Sequence, residues 1–200
     1  MRKYIIPVLT LLLCLSTVSE AGIPDPTRSG SELKGQAVGC QYRFRHDGGL
    51  DCLSVCVTLR DIFDVPVPNC TTSVTLNDTG NGSLCSCCPN PLILATDANG
   101  VAVFEFKKLG GRGSAEACIT ALCQGAIAIA CQSFDYTSTD MSGDCLATDV
   151  IDLGLWAGCL PPAPYCRESD YNCDGTVDVI DLGLFAGGLT VTCADGAACP

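Results

Sequence analysis

The stretch Asp170-Tyr-Asn-Cys-Asp-Gly-Thr-Val-Asp-Val-Ile-Asp181 sets oxygen donors at positions 1, 3, 5, 9 and 12 of a twelve-residue loop and puts glycine at position 6. A hard divalent ion such as Ca²⁺ takes about six to eight oxygens at once, so this spacing predicts a calcium loop. Asp170, Asn172 and Asp174 offer side-chain oxygens, Thr176 a carbonyl, Asp178 a direct or water-mediated contact, and Asp181 a terminal carboxylate. Gly175 permits the sharp reversal that turns these groups inward. The competing reading is an acidic turn that matches the pattern by accident.

Working outward, the segment from Asp149 to Leu160 aligns with Asp178 to Leu189 at a spacing of 29, ten of twelve positions being identical. An internal repeat of this quality marks a duplicated structural unit. The first copy has its own donors in Asp140, Ser142, Asp144, Asp149 and Asp152, but it runs one residue longer and has Cys145 where the second has Gly175. A backbone that cannot reverse sharply leaves ligand positions to water, so the first loop is expected to be the weaker site. A short helix should follow each loop, with apolar faces at Leu153, Trp156, Ala157 and Leu160 and at Leu182, Phe185, Ala186 and Leu189 that pack the helices together. Gly154, Gly183, Gly187 and Gly188 weaken those helices, each interior glycine costing about 1 kcal/mol relative to alanine.

Upstream the texture changes to strands. Leu53–Arg60 and Val101–Phe106 alternate, Thr72–Leu76 is β-branched, and Ala115–Leu122 and Ala126–Cys131 follow at hairpin-like intervals. Turn formers separate them, among them Pro68-Asn69, Asn77-Asp78, Gly80-Asn81-Gly82 and Asp97-Ala-Asn-Gly100. The fold class is therefore mainly β: an antiparallel β-sandwich followed by a small helical calcium-binding domain. Residues 1–21 read as a signal peptide, 22–49 as an N-terminal extension or first strand, 50–135 as the sandwich and 136–200 as the double-loop domain.

Two resemblances follow from these motifs. The "VTLRD" strand, the "P-V-P-N" turn and the "TDANGVAVFEF" segment resemble bacterial Ig-like repeats of the invasin type over roughly residues 50–134. These are backbone-geometry motifs without chemistry. The duplicated loops, each ending in Asp rather than Glu and followed by one short helix, resemble the type I dockerin domain over residues 138–193. That resemblance implies two bound Ca²⁺ and a cohesin-type module on a scaffold or cell surface as partner, in assemblies that break down polysaccharide. It also implies that Val150, Ile151, Val179 and Ile180, just before each final Asp, make the contact.

Composition limits the function classes. The 200-residue chain has a formal charge of -11, and its acidic end, from Asp140, holds ten acidic residues against Arg167 alone. Such a field repels phosphate backbones and anionic lipid surfaces, so nucleic acid is not an expected partner. Arg2 and Lys3, the apolar run to Val18 and the small residues at Ser19 and Ala21 make the signal peptide, cleaved after Ala21, and no other stretch suits a membrane span. Seventeen cysteines, sixteen after cleavage, fit an oxidising compartment. Ten precede the acidic end and six lie within it, so all are expected to pair within their own domain.

The remaining candidates have bland readings. Cys85, Cys87 and Cys88 lack the separated pairs of a structural zinc site, and secretion favours disulfides. Tyr42 to Asp47, around the single His46, reads as a strand with a solvated basic face rather than an anion or sugar site. The sequons at Asn69, Asn77 and Asn81 read as turn chemistry. The expected function is that of a secreted, non-catalytic calcium-binding attachment protein. The alternatives are a polysaccharide-active enzyme (a glycoside hydrolase) or carbohydrate-binding accessory protein, and an extracellular structural protein whose loop pair is only a folded terminus. No paired acid/base carboxylates stand out for the enzyme.

Overall fold

The computed structural model describes residues 22–35, 37–38, 41–44, 53–80, 84–86, 89–107, 109–145 and 148–187. The expected signal peptide, His46, Asn81, Cys87, Cys88 and Leu189 lie outside the described residues. The strands are β1 (Gly30–Lys34), β2 (Ala37–Val38), β3 (Gln41–Phe44), β4 (Leu53–Thr58), β5 (Thr71–Asp78), β6 (Cys85–Ser86), β7 (Leu92–Ala95), β8 (Val101–Phe106), β9 (Leu109–Gly110), β10 (Arg112–Ala121) and β11 (Ile127–Ser138). Two helices follow, α1 (Val150–Ala157) and α2 (Val179–Ala186).

The chain is mainly β. A three-stranded antiparallel sheet has the order β1-β4-β8, a six-stranded sheet the order β2-β3-β11-β10-β5-β7, and β6 pairs with β9 in a two-stranded ribbon. In the six-stranded sheet β3 runs parallel to β11 while the other pairs are antiparallel. Alternation explains which faces meet. Leu53, Val55 and Val57 of β4 and Phe104 and Phe106 of β8 are fully buried, and they share one core with Val74, Leu76, Ala115, Ala117, Ile119, Phe134 and Tyr136 of the larger sheet. The Tyr42 ring meets Phe134 edge-on, at a centroid distance of 5.7 Å.

The turn between β7 and β8 is built as its sequence suggests. The Asp97 carboxylate accepts the amides of Asn99 and Val101, each at 2.8 Å, and Gly100 takes φ +74°. A β-carbon on Gly100 would strike the Leu59 carbonyl and lie 3.0 Å from the Val67 nitrogen. Asn69 has the left-handed φ of +54° expected of turn asparagine. Asn77, by contrast, belongs to β5, where it pairs with Glu116 rather than making a turn.

The cysteine partition does not hold. Cys70–Cys123, Cys118–Cys131 and Cys159–Cys166 are local staples, Cys118 and Cys131 being register partners on β10 and β11. Cys85 of β6, however, bonds Cys145 of the first acidic loop, because the β6–β9 ribbon lies against that loop. Cys56 is free, since its cross-strand neighbours are Glu32 and Val103 and no cysteine stands opposite it.

The two acidic loops and their helices lean on the β-region through more than this link. Gln41 Nε2 donates to the carbonyls of Arg167 and Asp170 at 3.0 and 3.1 Å. The hydroxyls of Thr137 and Tyr171 donate to the Glu168 and Ser138 carbonyls at 2.6 and 2.9 Å, and Arg167 pairs with Asp135 at 2.8 Å. Trp156 and Phe185 stack at 6.1 Å between the helices, joined in a second core by Met141, Tyr171 and Val177. Ala157 and Ala186, expected on the buried faces, are exposed, because eight-residue helices bury one narrow stripe centred on the aromatic ring. Among the described residues no helix is long and apolar enough to cross a membrane.

Candidate metal centre

Each helix opens on the same reciprocal cap. Asp149 accepts the Ile151 amide at 2.7 Å while the Asp149 amide donates to Asp152 at 2.8 Å; Asp178 and Asp181 repeat this with Ile180 at 2.7 and 2.9 Å. Carboxylates in the first turn also complement the helix dipole. Capping alone thus accounts for one oxygen of each final aspartate.

The other oxygen reaches back across the loop. In the second loop Asp181 Oδ1 accepts the amides of Tyr171 and Asn172 at 2.7 and 3.2 Å. Asp170 accepts the amides of Asp174 and Gly175 at 3.2 and 2.8 Å, together with the Tyr165 hydroxyl at 2.8 Å. The first loop has the same scheme: Asp152 Oδ1 accepts the Ser142 amide at 2.8 Å, and Asp140 accepts the amides of Gly143 and Cys145 at 2.9 and 3.2 Å. The first and last carboxylates of both loops, Asp140, Asp152, Asp170 and Asp181, are at most 1% exposed.

The bend expected only in the second loop is present in both. Cys173 and Gly175 at positions 4 and 6 have φ of +58° and +90°; Gly143 and Cys145 at the same positions of the first loop have +68° and +62°. The loops carry the same pair of left-handed residues with glycine and cysteine exchanged. The absence of glycine at position 6 therefore does not prevent the reversal. Leu146 and Ala147, which follow the bend in sequence, lie outside the described residues.

A buried carboxylate without a counter-charge is costly. Among the described residues Asp152, Asp170 and Asp181 have no lysine or arginine partner, and the ion pairs there are Lys34–Glu32, Arg60–Asp64, Lys107–Glu105 and Arg167–Asp135. Each loop buries two carboxylates, a donor set that suits a hard divalent cation. The outer donors of the second loop are more open: Asp174 accepts from the Thr176 hydroxyl at 2.6 Å and from Asn172 Nδ2 at 2.8 Å. These bonds, led by that from the Thr176 hydroxyl, hold Asp174 below its ordinary pKa. Burial and the Asp170 carboxylate push Tyr165 up to about 12. Burial alone is the main cause of the upward shift of Tyr171.

The loop aspartates turn toward their own amides rather than toward one another. Among the described residues the only group of three acidic, cysteine or histidine ligand atoms within 4.8 Å is Glu116, Cys118 and Cys131. Those two sulfurs are bonded to each other, so that group offers no thiolate. Cys85 is likewise consumed by its disulfide, which removes one sulfur from the cysteine cluster considered for zinc.

Val150, Ile151, Val179 and Ile180 are 78, 57, 76 and 55% exposed. They form the first turns of the two helices, and being outside both caps and core they are unpartnered apolar side chains. Sequence reasoning missed Tyr165 and Gly110. The first has no spacing signal; the second lies thirty residues upstream of the carboxylate it faces, Asp140. Compared with known proteins, the chain matches no family model and no curated relative.

Proposed function

We propose that the protein is a secreted, non-catalytic calcium-binding attachment protein, in which an Ig-like region carries a dockerin-like pair of calcium loops. The observation that supports this best is the repeated exposed dipeptide, Val150-Ile151 and Val179-Ile180, at the same first-turn position of two helices. In each loop Ca²⁺ would be held by the buried pair, Asp140 with Asp152 and Asp170 with Asp181, and by Ser142 and Asp144 or Asn172, Asp174 and Thr176. It would supply the positive charge that Asp152, Asp170 and Asp181 lack among the described residues. Asp149 and Asp178, engaged as caps, would bind directly or through water. Two equivalent apolar pairs suit a hydrophobic contact with a cohesin-type module on a scaffold or cell surface.

A second reading is favoured by the contacts of Gln41, Thr137, Tyr171 and Arg167: the loop pair is then an integral end of one folded unit and docks nothing. Binding of the whole protein to cohesin modules, with calcium and with chelator, separates the two. The attachment reading expects calcium-dependent binding that is lost when Val150, Ile151, Val179 and Ile180 are all changed to Asp. No binding in calcium, or binding indifferent to those four residues, would leave the folded-terminus reading standing.

A further inference from the structure

The two loops differ in how position 6 is held. In the second, Gly175 takes φ +90° with no atom within 4 Å of where a β-carbon would be, and glycine adopts that conformation freely. In the first, the same role falls to Cys145 at φ +62°, a region that residues bearing a β-carbon rarely enter unaided. From this bent conformation the Cys145 amide donates to Asp140 Oδ2 at 3.2 Å, while Gly143 serves Oδ1, so position 6 supplies one of the bonds that hold the loop's first carboxylate.

Cys145 is covalently tied to Cys85, and Cys85 pairs with Gly110 across the β6–β9 ribbon. That ribbon is fitted to the loop. A β-carbon on Gly110 would collide with Asp140 Oδ2 and come within 2.6 Å of Cys85 Sγ, so only glycine leaves room for the carboxylate. The next residue, Gly111, donates its amide to the Asp140 carbonyl at 2.6 Å. Asp140 is thus gripped from the β-region through its backbone, and position 6 of its loop is fixed there through sulfur.

We infer that the Cys85–Cys145 disulfide, seated on Gly110, positions the first loop for calcium, doing by cross-link what Gly175 does by conformational freedom in the second. This rests on the calcium reading given above. Cys145 is a positioning residue and not a ligand. Holding a left-handed residue in the free protein removes a conformational cost that binding would otherwise meet, which is preorganisation.

Calorimetric titration of the whole protein with Ca²⁺ tests it. The parent should take up two ions. Cys85→Ser with Cys145→Ser should weaken one event about tenfold and leave the other within about twofold, that second event also reporting that the protein is folded. Cys85→Ser with Cys145→Gly should restore most of the lost affinity, because glycine reaches the bend without the cross-link. Two unchanged events in the double-serine protein would overturn the inference while leaving the calcium reading intact. A glycine variant as weak as the serine one would overturn it as well, and loss of both events would show that the link serves the whole fold. A parent that binds no calcium would overturn the calcium reading itself, and this inference with it.

Discussion

Gly175 and Cys145 occupy the same bend, and the difference between them is the cost of a β-carbon at positive φ. Gly175→Ala meets no steric obstacle, so its expected effect is conformational alone, about 1 kcal/mol. It should weaken calcium binding at the second loop roughly fivefold and spare the first, as read by titration. Gly100→Ala is a harsher change, since the new β-carbon would strike backbone rather than a movable side chain. About 2 kcal/mol of stability should go, measured by urea denaturation, with calcium binding unaffected. Asp97 provides the pH test. Its carboxylate is held below its ordinary pKa by the amides of Val101 and then Asn99. The stability it contributes is present above the unfolded pKa, about 4, and is lost as pH falls through the lowered folded value. The protection of the Val101 amide, its exchange rate measured against the intrinsic rate at the same pH, should therefore fall in acid, and in Asp97→Ala it should be low already at neutral pH.

At the scale of elements, two eight-residue helices with glycines inside them are too short to be stable alone. They persist because each has a full capping box and gives one aromatic ring to a shared contact, Trp156 on Phe185, with Tyr171 beside Phe185 at 6.3 Å. Trp156→Ala should cost about 3 kcal/mol by cavity formation. Phe185→Leu keeps an apolar side chain there and should cost less, a contrast that thermal denaturation of the two variants would resolve. The strands show the complementary case. Among the described residues the β10–β11 pair is the longest, its register shifts between Ile119 and Thr120, and the Cys118–Cys131 staple lies one residue before that irregularity.

For the whole molecule, the loop pair and the β-region share hydrogen bonds from side chains to backbone carbonyls, the Arg167–Asp135 ion pair and the Cys85–Cys145 link. Unfolding should accordingly be one transition, with the fluorescence of the single Trp156 and the far-ultraviolet signal of the strands moving together. Two separated transitions would argue for independent domains. Calcium at about a hundredfold excess over its dissociation constant should stabilise the protein by about 2.7 kcal/mol per site, and chelator should reverse the gain. An unchanged melting temperature would count against the calcium reading. The arrangement carries a consequence for dissection. A fragment beginning near residue 136 would lose Gln41, Gly110 and Cys85, and with them the support of both loops.

The sequence by itself determined the local features: the alternation that makes β4 and β8, the left-handed Gly100 and Gly175, the apolar stripe carrying Trp156 and Phe185, and the repeat that gives two like helices. Each depends on neighbours within about four residues, where periodicity and backbone preference act directly. It misplaced what depends on distant partners. The strands β1 and β7 are formed by pairing with β4 and β5 and have little alternation of their own. The even division of cysteines suggested two closed sets, but disulfide partners are chosen by proximity in space. Only the folded chain brings β6 beneath the first loop. The bend at Cys145 was hidden for the same reason. Local preference disfavours positive φ at cysteine, and the structure accepts it where a cross-link to Cys85, 60 residues upstream, and the Asp140 carboxylate, seated against Gly110, hold the loop in place.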